Sequence, residues 1–395
     1  MKRVMKAIGR TYRDMDKILL WTMVALIFYG LLNIVTASSS EAVTSEAPLY
    51  HYFYQQLKML LVAFIGTIII LRINTSKYTW PAVIAFITVF GILIYLSLYG
   101  TAHRGSMNWI ALPIIGTFQP SELAKPVVII CLAILFEKFY RKLKNPKISH
   151  IDMLGIIFFV GLAFPMIVFT QKDLGTAIIL SMIFGVMFIT SPILRKEKVL
   201  WIGRILLLAI VGGLIMLNVK GYILSEEQKD RFNFFNPCSN YEDGGYQVCN
   251  GFIAINDGGL LGLGPGKSRQ KYSYIPEPHT DSVFAIIVEE MGLVLSTLIF
   301  IGYYLILKRI LDLACVSSTI RGRYICIGTA TYIFMHILIN LGGLFGVIPL
   351  TGVPLPFLSY GGSFTISLIL TLAVVQRIYI ETKRDLLKEA KMAQR

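Results

Sequence analysis

Apolar residues along this chain come in long runs, and polar residues fill short gaps between them. Ten runs are long enough to cross about 30 Å of hydrocarbon as helices. They lie near 18–37, 53–71, 79–99, 118–136, 152–170, 174–193, 199–219, 282–307, 324–345 and 360–380. Only helices or closed barrels satisfy their backbone in lipid, and these runs are too long for strands. The pattern therefore predicts an all-α polytopic membrane protein, a single integral membrane domain over 1–395 with ten transmembrane helices. The one long gap, 220–281, predicts a large structured loop, because it carries Phe232, Phe234, Phe235, Tyr246, Phe252, Tyr272 and Tyr274 rather than the composition of a disordered segment. Within it, RFNFFNP and YQVCNGFIAI are expected to lie in the membrane interface with aromatic faces toward lipid. The blander reading is a plain aromatic belt.

Composition agrees with the pattern. Hydrophobic residues make up 55% of the chain and charged residues 15%, where a soluble domain would carry about a quarter charged. Mean hydropathy is +0.67. The charge adds an orientation. Lys and Arg concentrate in 1–17, 72–78, 137–151, 194–198, 308–323 and 381–395, while 38–52 has neither. The positive-inside rule then places the 1–17 and 381–395 tails in the cytoplasm and 220–281 outside the cell. The net charge of +14 is chiefly this topology signal, with anionic lipid heads as a secondary partner. Basic residues scattered over six segments argue against nucleic-acid binding. The first run lacks a small-residue cleavage site and reads as a retained span.

Candidate chemistry clusters at the outer end. QPSELAKP, 119–126, opens the fourth run; Glu122 and Lys125 are i, i+3, so on a helix they share a face and can pair. Pro120 suits a first turn, with Gln119 or Ser121 as cap. QKDLGTA, 171–177, brings Lys172 and Asp173 to the start of the sixth run. GVIPLTGVPLPFLSYGGS, 346–363, is a Pro/Gly-kinked segment with Thr351, Ser359, Tyr360 and Ser363. YIPEPHTDSVFAIIVEEMG, 274–292, places Asp281 at the mouth of an apolar run and Glu289 and Glu290 inside it. Ionisable groups in or near membrane spans usually face a cavity or one another. Thr280–Asp281 also suits a helix cap, and Glu122–Lys125 also suits a structural ion pair.

GPGKS, 264–268, resembles a phosphate-binding P-loop, but that motif needs a glycine where Leu261 stands and a preceding strand. What remains is that GGLLGLGPGK, 258–267, can form either an anion-binding nest of backbone N–H groups beside Lys267 or a flexible turn. Cys238 and Cys249 share the oxidising outer side, which permits a disulfide between them; spacing alone does not prove one. No His/Cys set has zinc spacing.

WIALPIIGTFQPSELAKP, QKDLGTA, NGFIAINDGGLLGLGPG, YIPEPHTDSVFAIIVEEMG and GVIPLTGVPLPFLSYGGS, in this order, resemble the SEDS family, the FtsW/RodA proteins of bacterial shape, division and sporulation. The resemblance runs from the first span to the last. It implies a ten-span peptidoglycan glycosyltransferase that polymerises lipid II outside the cytoplasmic membrane. Its implied partners are a class B penicillin-binding protein transpeptidase and other divisome membrane proteins. The family's essential acid falls on Asp281, and its paired Glu and Lys on Glu122 and Lys125. Two departures stand out. Many members have Arg before the tryptophan of the second outer loop, where this chain has Asn108–Trp109 with Arg104 nearby; Ser282–Val283 replaces the frequent Phe–Ile.

On this reading Asp281 is the base for a sugar hydroxyl. The leaving pyrophosphate needs cations or N–H donors, for which Lys125, Lys267, Arg269 and Arg104 are candidates. A divalent cation, magnesium or manganese, can join them at Asp281. Trp109, His279 and Ser359 complete the expected substrate contacts. One of Glu289 and Glu290 is expected to line the cavity or meet a cation such as Lys125, the other to lie nearer the helix surface. Ten spans with buried charge and Pro/Gly breaks also suit a lipid flippase or transporter, and a division scaffold is a third reading. The wording of PFLSYGGS and NGFIAINDGG resembles the division type more than the elongation type, which points to the septum.

Overall fold

In the computed structural model the described residues are 11–39, 48, 50–100, 108–112, 116–143, 151–220, 237–239, 241, 245–272, 275–276 and 278–394. Each of the ten apolar runs is a helix. In chain order the elements are α1 (Lys17–Ala37), α2 (His51–Arg72), a 3₁₀ turn (Thr75–Tyr78), α3 (Thr79–Tyr99), β1 (Ile110–Leu112), β2 (Gly116–Phe118), α4 (Pro120–Leu143), α5 (Ile151–Thr170), α6 (Leu174–Thr190), α7 (Arg195–Lys220), α8 (Tyr246–Gly258), α9 (Val283–Val316), α10 (Ile320–Leu344) and α11 (Gly362–Ala393). Strands β1 and β2 form one antiparallel hairpin with Ile110 opposite Phe118. Among the described residues, seven helical stretches are long and apolar enough to cross a membrane. The protein is thus the all-α polytopic membrane protein its pattern predicts. The fourth run starts later than expected, because β2 occupies its first residue and Pro120 opens the helix.

Helix starts follow from local chemistry. Asp16 caps α1 by accepting from Leu19 N at 3.1 Å, and Thr319 caps α10 by accepting from Gly322 N at 3.0 Å; each satisfies an N–H that the helix cannot. Helix α10 is central, packing on α4, α6, α9 and α11, while α11 lies on α2, and α9 on α1 and α8. Helices α2 and α3 present Leu61, Phe64, Ile69, Ile84, Ile87 and Leu98 outward. An exterior this apolar fits lipid, not water.

The two ends of the bundle differ. At one end, called here the basic end, ion pairs bind elements to each other, Arg321–Glu137 at 2.7 Å and Arg309–Asp16 at 2.6 Å, while Arg377 and Glu381 pair within α11 at 2.9 Å and reach Leu71 O and Thr75 N. Helix α11 continues well past residue 380 there, through strong helix formers such as Glu381, Leu386, Leu387, Lys388 and Ala390. The opposite end carries the sequence motifs.

Helix α9 is broken at Gly292, whose φ is 76° and ψ 166°. A straight helix would bond Leu293 N to the Glu289 carbonyl and Val294 N to that of Glu290. The break orphans all four groups, and the glycine-rich segment after α8 replaces every partner. Leu263 N donates to Glu289 O and Gly264 N to Glu290 O, each at 2.9 Å; Leu293 N donates to Gly259 O at 2.9 Å and Val294 N to Leu260 O at 3.3 Å. The two backbones touch: a Cβ at Gly262 would lie 2.4 Å from Glu290 O, and one at Gly292 2.4 Å from Leu260 O. This corrects both readings of GGLLGLGPGK. The segment is neither an anion nest nor a loose turn, since the N–H groups of Gly259, Gly262, Leu263, Gly264 and Lys267 point at protein carbonyls.

Helix α8 has one face against the bundle. YQVCNGFIAI packs along α9 through Val248, Cys249, Asn250, Gly251, Ala254 and Gly258, which are buried, while Tyr246 and Phe252 are half-buried and Ile253 is exposed. Cys249 is joined to Cys238 by a disulfide. RFNFFN, 231–236, lies outside the described residues.

Candidate functional site

Helix α4 brings the first charged pair to the motif end. Lys125 Nζ is 2.7 Å from Glu122 Oε1, and the two side chains are 0% and 3% exposed. The spacing fixes the pair and Pro126 adds to it. Proline has no N–H, so the carbonyl four residues earlier, that of Glu122, loses its helical donor. Ser367 Oγ of α11 supplies one at 2.7 Å. On its other side Lys125 Nζ is 3.1 Å from His336 Nε2 of α10. It also faces the rings of Tyr332 and Phe364 at 5.6 and 5.8 Å.

The His279–Thr280–Asp281 segment is held by its backbone. His279 O accepts from Tyr360 N at 2.8 Å, Thr280 O from Ser359 Oγ at 2.6 Å, and Asp281 O from Asn340 Nδ2 at 2.9 Å. Asn340 Nδ2 also donates to Val353 O at 2.8 Å. The His279 ring is buried between Tyr52 and Tyr360, with centroids 4.4 and 5.5 Å away. All three carbonyls are tied, so the half-buried Asp281 carboxylate projects from a fixed support. Beside it Gly352 leaves space, since a Cβ there would come 3.5 Å from Asp281 Oδ2. The carboxylate also stands just before α9, at the positive end of a helix dipole. The N-cap position of α9 is Ser282, so Asp281 sits one residue ahead of the cap predicted for it.

Asp173 gathers a third motif. It caps α6 through Thr176 N at 3.1 Å and accepts from Asn108 Nδ2 at 2.8 Å and Gln119 Nε2 at 2.7 Å. Asn108, the departure noted in the sequence, therefore serves Asp173. Gly175 lets α6 abut the 351–353 segment, where a Cβ would meet Val353 Cγ2 at 2.7 Å. Residues 119–125, 171–177, 279–281 and 351–363 thus converge on one end of the bundle.

The cations divide into two sets. Lys125 is sealed in its pair. Lys172, Lys267 and Arg269 are exposed, and Trp109 is 36% exposed. Arg104 lies outside the described residues. Glu289 and Glu290 do not meet Lys125, and neither lies at a helix surface; they are 0% and 1% exposed. Glu290 Oε1 is 3.0 Å from Lys271 Nζ. Glu289 accepts from Ser268 Oγ at 2.5 Å, Arg269 N at 2.7 Å and Gln270 N at 3.3 Å. Carboxylates beside a helix break thus clamp the stretch that leads to Asp281. Ser359, expected to touch substrate, is buried and instead braces Thr280 while accepting from Leu355 N at 2.8 Å.

Sequence reading missed His336, Asn340 and Lys271. The first two carry a faint signal, polar residues one turn apart within an apolar run. Chemically, the motif end offers a half-buried carboxylate on a rigid mount, and the 171–177 and 267–269 stretches add exposed cations. Among the described residues no three His, Cys, Asp or Glu side chains converge as a metal cage.

A family model described as cell cycle protein, FtsW/RodA/SpoVE, matches residues 17–384. A probable peptidoglycan glycosyltransferase FtsW of Enterococcus hirae is 32% identical over 94% of this chain and 93% of its own. The stage V sporulation protein E of Bacillus subtilis is 31% identical over 92% of this chain and 96% of its own. Among solved structures, a chain of a peptidoglycan synthase complex that coordinates polymerization and crosslinking superposes with a TM-score of 0.72 at 22% identity, covering 93% of this chain and 98% of that one. The rod shape determining protein RodA of Thermus thermophilus superposes with a TM-score of 0.65 at 21% identity, covering 93% and 97%.

Proposed function

We propose that this chain, which belongs to the FtsW/RodA/SpoVE family of cell cycle proteins, is a peptidoglycan glycosyltransferase that polymerises lipid II at the outer face of the cytoplasmic membrane during division. The relatives named as FtsW support the division type. The ten helices of the apolar runs, all but α8, cross the membrane, both tails lie in the cytoplasm, and the motif end faces out, in keeping with the Lys and Arg distribution. The partner is a class B penicillin-binding protein at the septum, in keeping with the fold shared with a synthase complex that couples polymerization and crosslinking.

The observation that carries this reading is the Asp281 carboxylate, half-buried on a backbone whose carbonyls are held by Tyr360, Ser359 and Asn340. The acceptor 4-hydroxyl attacks the anomeric carbon of the lipid-linked sugar, the bond to the pyrophosphate breaks, and Asp281 takes the hydroxyl proton. A positioned base of this kind is typically worth about 10²–10⁴-fold. The exposed Lys267 and Arg269 are the cations assigned here to the leaving pyrophosphate. Magnesium or manganese, if bound, would be held by Asp281 with substrate oxygens completing its shell, the sparse protein ligation usual at phosphates, and would supply charge neutralisation. The polyprenyl tail stays in the bilayer throughout, which explains an active end at the membrane surface.

Purified protein with its transpeptidase partner and labelled lipid II should yield glycan strands. Translocation of lipid II across vesicles without strand formation would overturn the proposal.

A further inference from the structure

We infer that His336 is a positioning residue, one that holds Lys125 of α4 and the 351–361 segment in register and through them the seat of Asp281; this rests on the polymerase reading. His336 is fully buried. Its Nδ1 is 3.1 Å from Pro354 O. A carbonyl only accepts, so Nδ1 carries the hydrogen and Nε2 turns its lone pair to the Lys125 ammonium. One ring thus joins α4 directly to the 351–361 segment. One turn along α10, Asn340 holds Val353 O, adjacent to Pro354, and Asp281 O. Farther along the same segment, Ser359 and Tyr360 hold the carbonyls of Thr280 and His279. A shift of the His336 ring is therefore handed to every support of Asp281.

The competing account is packing. The ring stacks on Phe364 with centroids 4.4 Å apart and planes 18° apart, and meets the edge of Tyr332 at 5.0 Å. Those contacts need a ring and no nitrogens, so two substitutions separate the accounts. His336→Gln keeps one donor and one acceptor and loses the ring; His336→Phe keeps the ring and loses both hydrogen bonds. In lipid II polymerisation by matched amounts of full-length protein, the Gln variant should stay within about threefold of wild type. The Phe variant should lose about 10²-fold, the scale of an ångström-sized misplacement. A Phe variant as active as the Gln variant would overturn the inference. Thermal unfolding gives a second arm. The midpoint shifts of His336→Phe and Lys125→Met should be non-additive in the double variant, because the two groups touch; additive shifts would count against the link. This arm decides the link even if wild type forms no glycan, a result that would refute the polymerase reading alone. A third arm needs no Phe variant to fold. The ¹⁵N spectrum of His336, assigned by its loss in the Gln variant, should show hydrogen on Nδ1 and a bare Nε2. The opposite tautomer would sink the proposal.

Discussion

Replacing Lys271 by Met should unlatch residues 263–271 from α9 while the helices stay in place. Lys271 Nζ lies 3.0 Å from Glu290 Oε1 and 2.7 Å from Gly266 O, and the side chains of the ion pair are 2% and 0% exposed. Removing one partner of a buried pair costs about 3–5 kcal/mol, because the other charge stays behind, whereas replacing both by apolar groups is nearly neutral or better. At 1.4 kcal/mol per factor of ten, the lower figure is about 140-fold more frequent local opening. The reporters are the amides of Leu263, Gly264, Arg269 and Gln270, whose acceptors are the carbonyls of Glu289 and Glu290 and the Glu289 carboxylate. Hydrogen–deuterium exchange read by mass spectrometry should show peptides over 263–271 exchanging about 10²-fold faster in Lys271→Met, consistent with that opening. Glu290→Leu should do the same, and the double variant should return toward wild type. Unchanged exchange in Lys271→Met, or a double variant as open as either single one, would refute the clamp.

Asp281→Asn keeps volume but removes basicity; lipid II polymerisation should fall about 10²–10⁴-fold with an unchanged melting midpoint, and a near-normal rate would rule out the base. Gly292→Ala forces a side chain onto a φ of 76° and against Leu260 O, a strain of about 1–3 kcal/mol before the clash. Its melting midpoint should drop clearly below that of Gly155→Ala, where a Cβ meets nothing within 4 Å; equal midpoints would contradict the backbone pairing at the break. Peptide mapping without reductant should recover Cys238 linked to Cys249, and finding both as free thiols would refute the bridge.

What was legible in the sequence was local. A helix in lipid is written by apolarity alone, so all ten runs became helices. The end of α11 was not, because hydropathy falls at Glu381 while helix propensity does not. Glu122 and Lys125 could be paired because three residues separate them on one face. Their neighbour His336 could not, since it is 211 positions from Lys125, and Asn340 is 59 positions from the carbonyl it holds. The carboxylates Glu289 and Glu290 were visible as an anomaly without an explanation. Their partners Ser268 and Lys271 are close in sequence, but only the bend at Gly292 turns the segment back on α9. A glycine at the end of VEEMG gives no sign of a positive φ until its neighbours' hydrogen bonds are traced. The motif Ser359 was found, and its work proved to be support.

A discontinuous helix with buried carboxylates is the usual hardware of a transporter, where the freed backbone and the acids line a passage. Here both are committed. The four backbone groups that the break releases are all paired with residues 259–264, and the two carboxylates grip residues 268–271. Nothing in that arrangement favours opening, since each partner removed leaves a buried polar group unsatisfied. The break therefore does a different job, letting a surface segment be pinned into the bundle ten residues before Asp281. Glycosyl transfer needs such an arrangement more than translocation does. A base must be held to within about half an ångström to be useful, and a loop long enough to cover a sugar chain is by default too mobile. Anchoring one end of the segment at Glu289 and Glu290, and the other at Asn340, Ser359 and Tyr360, reconciles the two requirements.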